Sequence, residues 1–283
     1  MLAVADAKLA APPLPFADST LGADFIAQLT DLWERLTLEQ QIKLAAVLAV
    51  IKEHDAAIRV TVGNMKGGVA KSTTSIFFAL LLAFTGEEVL LVDGDKKNTS
   101  CLKWKLGAEG DWPLNVQVQP WATPDLAPRV QAMRGQVKHV VADTSPQIEE
   151  VLRAALMVTD TFLIVTQPNP MDVLQLEDSI NVAVETDQQK RVLGGELAAV
   201  IAFMRVKQQN SILLRDARKH ADDNDFPYLW TAVLSRDPIA EMFGTFPWNF
   251  AEYIDLFAEF VAYALGLDYI PGETADEQVE ENA

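Results

Sequence analysis

The stretch NMKGGVAKSTTSIFFALL, residues 64–81, decides the fold of this chain. It follows a short run rich in β-branched residues at 59–63, contains two adjacent glycines and continues into an apolar, helix-compatible sequence. A strand, a glycine-bearing turn and a helix in this order allow backbone N–H groups and the positive end of the helix to surround a phosphate. The stretch therefore predicts a phosphate-binding loop, with its helix beginning at about Lys71.

Residues within this loop suit phosphate and metal binding. Lys71 would neutralise the β- and γ-phosphates of a nucleotide, and the Ser72 hydroxyl would bind Mg²⁺. Thr73 is placed to reach the α-phosphate. Gly67 and Gly68 permit a close approach of the phosphate that side chains would block.

The loop departs from the common pattern Gly-x-x-x-x-Gly-Lys-Ser/Thr at three positions. Aligned on Lys71, that pattern has glycine where this chain has Met65 and Ala70. We expect Ala70 to have a negative φ, because alanine is strongly disfavoured at positive φ. The third departure is an additional lysine, Lys66. A second cation placed against the leaving phosphate oxygens would stabilise the negative charge that hydrolysis builds there.

Beyond the loop, short apolar runs alternate with longer helix-like segments. The predicted strands are 59–63, 89–92, 116–118, 139–142, 162–165, 197–203 and 229–234. This alternation predicts an α/β fold: a mainly parallel, twisted sheet with helices on both faces. In open sheets of this kind, functional groups lie at the carboxyl ends of the strands.

Acidic residues follow two of these strands. Asp93 and Asp95 end the second strand, where two carboxylates two residues apart project to the same side and can reach metal-bound water or a nucleophile. Asp143 ends the fourth strand, after an apolar run, as a carboxylate that holds Mg²⁺ does in Walker B segments. These positions predict a magnesium site beside the loop.

The segment KGGVAKST, residues 66–73, resembles the deviant Walker A loop, KGGxxK(S/T), of the ParA/MinD family of dimeric ATPases. The resemblance extends over about residues 59–265 and implies a P-loop NTPase fold with ATP and Mg²⁺ as ligands. It implies that Lys66 crosses the interface of a homodimer to the ATP of the other subunit. The residues implied to bind nucleotide are Lys66, Gly67, Gly68, Val69, Ala70, Lys71, Ser72 and Thr73; Lys66, Lys71 and Asp95 are implied to be catalytic, and Ser72, Asp95 and Asp143 to serve the metal.

Two departures from the family pattern concern hydrolysis and nucleobase contacts. Lys96 and Lys97 stand where the family usually has Pro-Gln after the second aspartate, which is the residue that orients the attacking water. After the strand at 197–203 the family commonly places an asparagine that contacts adenine, whereas this chain continues with Met204 and Arg205. ATP is therefore assigned from the phosphate site alone.

The net charge of −17 restricts any nucleic-acid binding to a local basic patch. The segment 205–220 supplies candidate phosphate contacts: Arg205, Lys207, Arg215, Arg218 and Lys219. Spacing allows the last three to share one helix face, although such a face is also typical of a solvated helix. The resemblance implies nonspecific DNA binding by the ATP-bound dimer, an adaptor of the ParB kind that stimulates hydrolysis, and segregation or positioning of a cargo by a cytoplasmic, nucleoid-associated protein.

The sequence divides into four parts. Residues 1–21 predict a flexible lead-in, 22–57 an N-terminal helical extension with a capping box at Thr37, 58–267 the ParA-like ATPase domain, and 268–283 an acidic, disordered tail. The helical extension is interpreted either as a hairpin packed on the main domain or as a dimerisation or docking element. The single cysteine, Cys101, is expected to be a small buried residue.

Three other classes share the loop chemistry. A MinD-like, membrane-associated regulator is the alternative within the fold, but an acidic C-terminal segment would be repelled by anionic lipid, and no apolar run is long enough to span a bilayer. An iron–sulfur reductase resembling nitrogenase iron protein normally needs two cysteines per subunit for a bridging cluster. The single cysteine of this chain argues against that class. A metabolic P-loop ligase or kinase would turn over without dimerising.

Overall fold

The computed structural model describes residues 11–146, 148–247 and 249–267. Its strands are β1 (Arg59–Gly63), β2 (Val89–Gly94), β3 (Val116–Gln119), β4 (His139–Thr144), β5 (Thr161–Thr166) and β6 (Ala198–Phe203). Its helices are α1 (Ala23–Glu34), α2 (Leu38–Glu53), α3 (Lys71–Ala83), α4 (Ser100–Ala108), α5 (Leu126–Ala132), α6 (Glu149–Leu156), α7 (Pro170–Leu174), α8 (Leu176–Val192), α9 (Ile212–Asp223), α10 (Asp237–Glu241) and α11 (Tyr253–Leu265).

The six strands form one parallel sheet in the order β3-β2-β4-β1-β5-β6. The first strand in the chain is therefore central, and the loop that follows it opens at the middle of the carboxyl edge. Strands β2, β4 and β5 are buried on both faces, which explains their nearly continuous apolar runs, whereas the edge strand β3 alternates between buried valine and half-buried glutamine. The predicted α/β class and parallel sheet are confirmed.

The register of neighbouring strands brings the acidic residues together. Asp143 on β4 pairs with Val62 on β1 and with Asp93 on β2. Because parallel strands end at the same edge, the loop after β1, the two aspartates of β2 and the aspartate of β4 meet there. Sequence positions as far apart as 71 and 143 become neighbours by this pairing.

Helices cover both faces of the sheet. On one face α3 is the most deeply buried helix, and its residues from Ile76 to Ala83 have no exposed surface. It packs directly on the sheet and contacts α4 and α11, and α2 packs against α11. On the other face α5, α6, α8 and α9 pack against the sheet.

The N-terminal helices pack on this core. The predicted capping box is present: the Gln40 backbone N–H donates to the Thr37 hydroxyl, and the Gln40 side chain accepts from the Thr37 N–H. Trp33 of α1 packs edge-on against Phe84, with ring centroids 5.3 Å apart. Side chains of α1 and α2 belong to the same apolar cluster as α3 and α11, as the packed-hairpin interpretation requires.

Two sequence expectations are wrong in the described residues. Residues 11–21 do not form a flexible lead-in, because Phe16 is fully buried against Trp33 and Phe84, and the Ser19 hydroxyl donates to Gly86 O. Residues 1–10 and the acidic segment 268–283 lie outside the described part of the chain.

The predicted seventh strand, 229–234, is also absent. The N–H groups of Leu229 and Val233 donate hydrogen bonds to carbonyls of β6. The intervening N–H groups of Trp230 and Thr231 instead donate to the Glu259 carboxylate of α11. Because a side chain from another element takes these two donors, a continuous ladder does not form.

Within the described residues, no helix is both long and apolar enough to cross a membrane.

Candidate functional site

The loop between β1 and α3 is fixed at its entrance by Asn64. This buried side chain donates to Val165 O at 2.9 Å and accepts the Lys66 N–H at 2.9 Å, so it ties the loop to β5. The Met65 N–H donates to the Ser179 hydroxyl on α8 at 3.2 Å. The loop entrance is therefore held by a backbone carbonyl of β5 and by a side chain of α8.

At its other end the loop enters α3 through a left-handed residue. Ala70 has φ of 70° and ψ of 22°, so the expected negative φ is wrong. The common pattern places glycine at this position, and the backbone here keeps the glycine-type conformation although the side chain is alanine. Ala70 O accepts both the backbone N–H and the hydroxyl of Thr74, which fixes the conformation within the first turn of α3.

Lys71 lies inside the loop. Its Nζ donates to Lys66 O at 2.5 Å, and the residue is only 7% exposed. Burial lowers the pKa of Lys71, and the nearby carboxylates Asp143 and Asp95 oppose that shift by favouring the ammonium form. The loop therefore holds a cation at its centre with backbone groups around it.

Ser72 joins the loop to the acid at the end of β4. Its Oγ donates to Asp143 Oδ2 at 2.6 Å, and the Ser75 hydroxyl lies 3.4 Å from Oδ1 of the same carboxylate. The Cys101 thiol on α4 is buried, as expected from the sequence, and lies 3.5 Å from Oδ2. Burial raises the pKa of Asp143, while the Ser72 hydrogen bond and the Lys71 charge counteract the shift.

Asp93, near the end of β2, and Asp95, in the turn that follows it, have different partners. Asp93 is fully buried and accepts the N–H groups of Asp95 and Leu102 at 3.2 and 3.0 Å, so it holds the start of α4 against β2. Burial raises the pKa of Asp93. Its role is therefore to position the segment that follows β2.

Asp95 accepts three hydrogen bonds from its own loop. Oδ1 accepts the N–H groups of Lys97 and Asn98 at 2.9 and 3.1 Å, and Oδ2 accepts the Asn98 side-chain amide at 2.8 Å. Burial acts to raise the pKa of Asp95, but these hydrogen bonds and the Lys71 charge outweigh it, so the pKa lies below its ordinary value. The site therefore holds Asp95 as an oriented carboxylate.

Lys66 points away from the loop centre. Its ammonium group forms an ion pair with Asp172 of α7 in the same chain; the Lys66 side chain is 32% exposed and that of Asp172 only 1%. The Asn169 side chain caps α7 by accepting the Asp172 N–H, which fixes the carboxylate opposite the loop. The sequence analysis did not identify Asp172. The local signal was the pair Asn169-Pro170, which is typical of the start of a helix and places Asp172 in its first turn.

The donor set fits Mg²⁺ and a polyphosphate. A serine hydroxyl and a carboxylate within hydrogen-bonding distance are the oxygen ligands Mg²⁺ prefers, and Mg²⁺ is usually held by one or two carboxylates together with substrate phosphates. In the described residues no group of three His, Cys, Asp or Glu side chains could enclose a metal by itself. Ser72 and Asp143 would hold the ion, with the loop backbone and Lys71 facing the phosphates.

The predicted basic patch is only partly available for phosphate contacts. Arg205, Lys207 and Arg215 are exposed. Arg218 instead stacks over Trp230, with its guanidinium carbon 3.9 Å from the ring centroid, and donates to Trp230 O. Lys219 forms an ion pair with Asp223 at 2.7 Å. The expectation that Arg218 lies on a free cationic face is therefore wrong.

A glycine-bearing loop after the central strand, with acids at the ends of two strands, is the arrangement of the P-loop fold. A family model described as an AAA domain matches residues 57–110. No curated protein sequence matches the chain.

Solved structures of three proteins are similar in fold. A McdA variant from Cyanothece in complex with ATP is 17% identical with a TM-score of 0.59, and the match covers 76% of this chain and 99% of that one. For the cell division protein MinD from Aquifex aeolicus the values are 18%, 0.58, 76% and 99%. For a putative plasmid partition protein from Borrelia burgdorferi bound to AMPPNP they are 18%, 0.52, 73% and 97%. The resemblance to the ParA/MinD P-loop ATPases is confirmed, and the chain has their fold.

Proposed function

We propose that this protein is a ParA-like ATPase whose ATP-bound sandwich dimer binds DNA nonspecifically. Hydrolysis, stimulated by an adaptor of the ParB kind, would drive the segregation or positioning of a cargo in the cytoplasm, on the nucleoid. The observation that carries the proposal is the pair of lysines in one loop: Lys71 is buried at the loop centre, whereas Lys66 lies at its rim and is partly exposed. One cation would serve the nucleotide of its own subunit and the other that of a partner.

The residues divide the work of hydrolysis to ADP and phosphate. The backbone N–H groups of residues 66–73 and the Lys71 ammonium would bind the β- and γ-phosphates. Ser72 and Asp143 would hold Mg²⁺, which when bound neutralises charge on the phosphate oxygens. Asp95, already an oriented carboxylate, would accept a hydrogen bond from the attacking water and direct its lone pair at the γ-phosphorus.

Lys66 would make hydrolysis conditional on dimerisation. To reach a second subunit it must leave Asp172, and leaving one partner of a buried ion pair uncompensated costs about 3–5 kcal/mol. The triphosphate of the other subunit offers several negative charges in exchange. Lys66 would then stabilise the charge that develops on the leaving phosphate oxygens, as an arginine finger does.

DNA binding would use exposed cations of both subunits. Arg205, Lys207 and Arg215 carry long, exposed, positively charged side chains. Such side chains suit contacts with DNA phosphates that do not depend on base sequence. Two-fold symmetry in the dimer would double the number of contacts. Such binding weakens steeply with salt.

Turnover measured against protein concentration tests the proposal. We expect the specific ATPase rate to rise with concentration and to fall at least about 100-fold in Lys66→Ala, with nucleotide binding retained. Because Lys66→Ala alone leaves Asp172 buried without a cation, the comparison is made in an Asp172→Asn background. Asp172→Asn by itself is the control and should retain turnover.

Three outcomes would contradict the proposal. Wild-type turnover in the Lys66→Ala, Asp172→Asn protein would remove the role of Lys66. A rate independent of protein concentration would favour a metabolic P-loop enzyme. ATP-dependent pelleting with anionic vesicles, without DNA binding, would favour the MinD-like alternative.

A further inference from the structure

The middle of the phosphate loop contains a buried backbone donor without a protein acceptor. Val69 has no exposed surface, yet within the described parts of the chain its N–H donates to no other group. Buried backbone N–H groups in proteins are normally paired. A free donor at this position therefore favours a ligand that accepts a hydrogen bond there, which in the proposed function is a phosphate oxygen of the nucleotide.

One side chain from outside the loop holds this part of it. Gln167 follows β5, and its side-chain amide donates to Gly68 O at 3.2 Å. Among the described residues, this is the only hydrogen bond that reaches residues 67–69 from another segment. Asn64 holds the entrance of the loop and Thr74 its exit, so Gln167 supplies the contact at the middle.

The contact with Gly68 O fixes the direction of the Val69 N–H. The two groups belong to one peptide unit, and in a trans peptide the C=O and the N–H point in opposite directions. Gly68 is exposed and bonds to Gln167 at the surface, whereas Val69 is buried. With the oxygen held on the exposed side, the Val69 N–H points to the opposite, buried side of the loop.

Gly68 would not keep this orientation without help. Its φ is 80°, and a Cβ placed on it would meet no atom within 4 Å. Glycine adopts positive and negative φ about equally well, so the peptide between Gly68 and Val69 can rotate unless its oxygen is held. Rotation would present a carbonyl oxygen in place of the N–H donor, and that oxygen would repel a phosphate.

We propose that Gln167 is a positioning residue for nucleotide binding: its hydrogen bond to Gly68 O keeps the Val69 N–H directed at the β-phosphate. This inference rests on the proposed function and adds a residue to its site. The segment 167–172 also carries Asp172, which pairs with Lys66. When Lys66 leaves Asp172 for a second subunit, the Gln167 bond remains to link this segment to the loop.

The test removes the donor while keeping the length of the side chain. Gln167→Met cannot donate a hydrogen bond. Gln175→Met is the matched control, because Gln175 also follows β5, is exposed, and forms no side-chain hydrogen bond within the described residues. Dissociation constants are measured with Mg²⁺ for ADP and for inorganic pyrophosphate. Because pyrophosphate has no nucleoside, a loss shared by both ligands belongs to the phosphate contacts.

We expect Gln167→Met to weaken the binding of ADP and of pyrophosphate by the same factor, about three- to tenfold, as the loss of one hydrogen bond implies. KM for ATP should rise by a similar factor while kcat changes less, and the urea midpoint of the ligand-free protein should stay the same. Gln175→Met should match wild type in every measurement.

Three results would overturn the inference. The first is unchanged affinity for both ligands in Gln167→Met. The second is a loss confined to ADP, which would assign Gln167 to the nucleoside. The third is a lower urea midpoint in the ligand-free variant, which would give the side chain a structural role.

The wild-type protein in the same experiments separates this inference from the proposed function. If its ATPase rate rises with protein concentration while Gln167→Met binds ADP normally, the role of Gln167 is rejected and the ATPase proposal stands. If wild type binds neither ADP nor pyrophosphate, both are rejected.

Discussion

The charged side chains around the loop are buried, apart from the half-buried Lys66, and each one depends on a particular neighbour. The Lys71 ammonium donates to Lys66 O and lies near two carboxylates. The Asp143 carboxylate contacts two hydroxyls and a thiol, and Lys66 forms an ion pair with Asp172. Buried charges of this kind are costly when a partner is removed. At the scale of single residues, each charged side chain of the site is therefore stabilised by a contacting partner. A variant that removes one of them should be compared in a background in which the partner is neutralised.

Ala70 offers a test of backbone strain. A left-handed conformation costs an L-residue with a Cβ about 1–2 kcal/mol, and glycine avoids this cost. We expect Ala70→Gly to raise the free energy of unfolding by about 1 kcal/mol, measured by urea denaturation. The matched control is Ala79→Gly in the buried middle of α3, which should lower it by at least about 1 kcal/mol. No gain from Ala70→Gly would show that the conformation is not strained.

His139 predicts a pH dependence of stability. Its Nδ1 accepts the Ile58 N–H, its Nε2 lies 3.3 Å from the Thr85 hydroxyl, and burial, with the nearby charges of Lys138 and Arg59, lowers the pKa of His139 to about 3. Above the unfolded pKa of about 6.5 the imidazole is neutral in both states. As the pH falls below that value, only the unfolded state takes up the proton, so stability decreases by up to about 1.4 kcal/mol per pH unit until the folded pKa is reached.

The measurement compares unfolding free energies at pH 7 and pH 5 for wild type and His139→Asn. Asparagine can still accept the Ile58 N–H but does not titrate, so the variant should lose much less stability over this range. Equal losses in the two proteins would mean that carboxylates, not His139, govern the acid limb.

At the scale of elements, each residue proposed to be catalytic lies where a strand leads into a helix. β1 leads through the loop into α3, and β2 leads through a tight turn into α4. In the second turn Lys96 and Lys97 stand where the ParA/MinD family usually has Pro-Gln, and the Asn98 side chain donates a hydrogen bond to Asp95. In this turn the Asp95 carboxylate is held by Lys97 and Asn98.

Asn98 should position Asp95 for the reaction. Its amide is the only side-chain donor to that carboxylate in the described residues, so Asn98→Ala leaves Oδ2 without its donor and Asp95 held by the two backbone N–H groups on Oδ1. We expect the maximal ATPase rate to fall by about 10- to 100-fold with little change in nucleotide affinity. Lys97→Ala is the control, because it removes a side chain but keeps the backbone donor. A change in affinity as large as the change in rate would indicate a structural role instead.

At the scale of the whole molecule, the N-terminal segment and the α/β core share one apolar cluster. Phe16, Trp33 and Phe84 pack together although they come from three parts of the chain. α2 also contacts α11, which covers α3. The N-terminal helices therefore contribute to the stability of the helix that begins at the phosphate loop.

A large-to-small change at Phe16 tests this arrangement. We expect Phe16→Ala to lower the free energy of unfolding by about 3 kcal/mol or more, and wild type to unfold in a single transition by circular dichroism and tryptophan fluorescence. Leu14→Ala, at a partly buried neighbouring position, should cost less. Separate transitions for the two probes would mean that the N-terminal helices fold independently.

The sequence by itself determined the features that depend on neighbours along the chain. The strand–loop–helix order, the chemistry available to Lys71 and Ser72, and the capping box at Thr37 follow from local spacing, whereas the role proposed for Lys66 comes from the family resemblance. The strands after β1 could be placed because apolar runs buried on both faces are distinctive. The acids at 93, 95 and 143 could be brought together in prediction, because parallel strands end at one edge.

Tertiary structure decided the rest, because those features depend on residues far apart in the chain. Glu259 of α11 interrupts what would have been a seventh strand, and Trp230 takes Arg218 out of the cationic face. The left-handed Ala70 follows from the path of the loop into α3, which outweighs the preference of alanine. Asp172 lies opposite Lys66 only because α7 follows the neighbouring strand β5, so the partner of the informative lysine could not be read from the loop in which it stands.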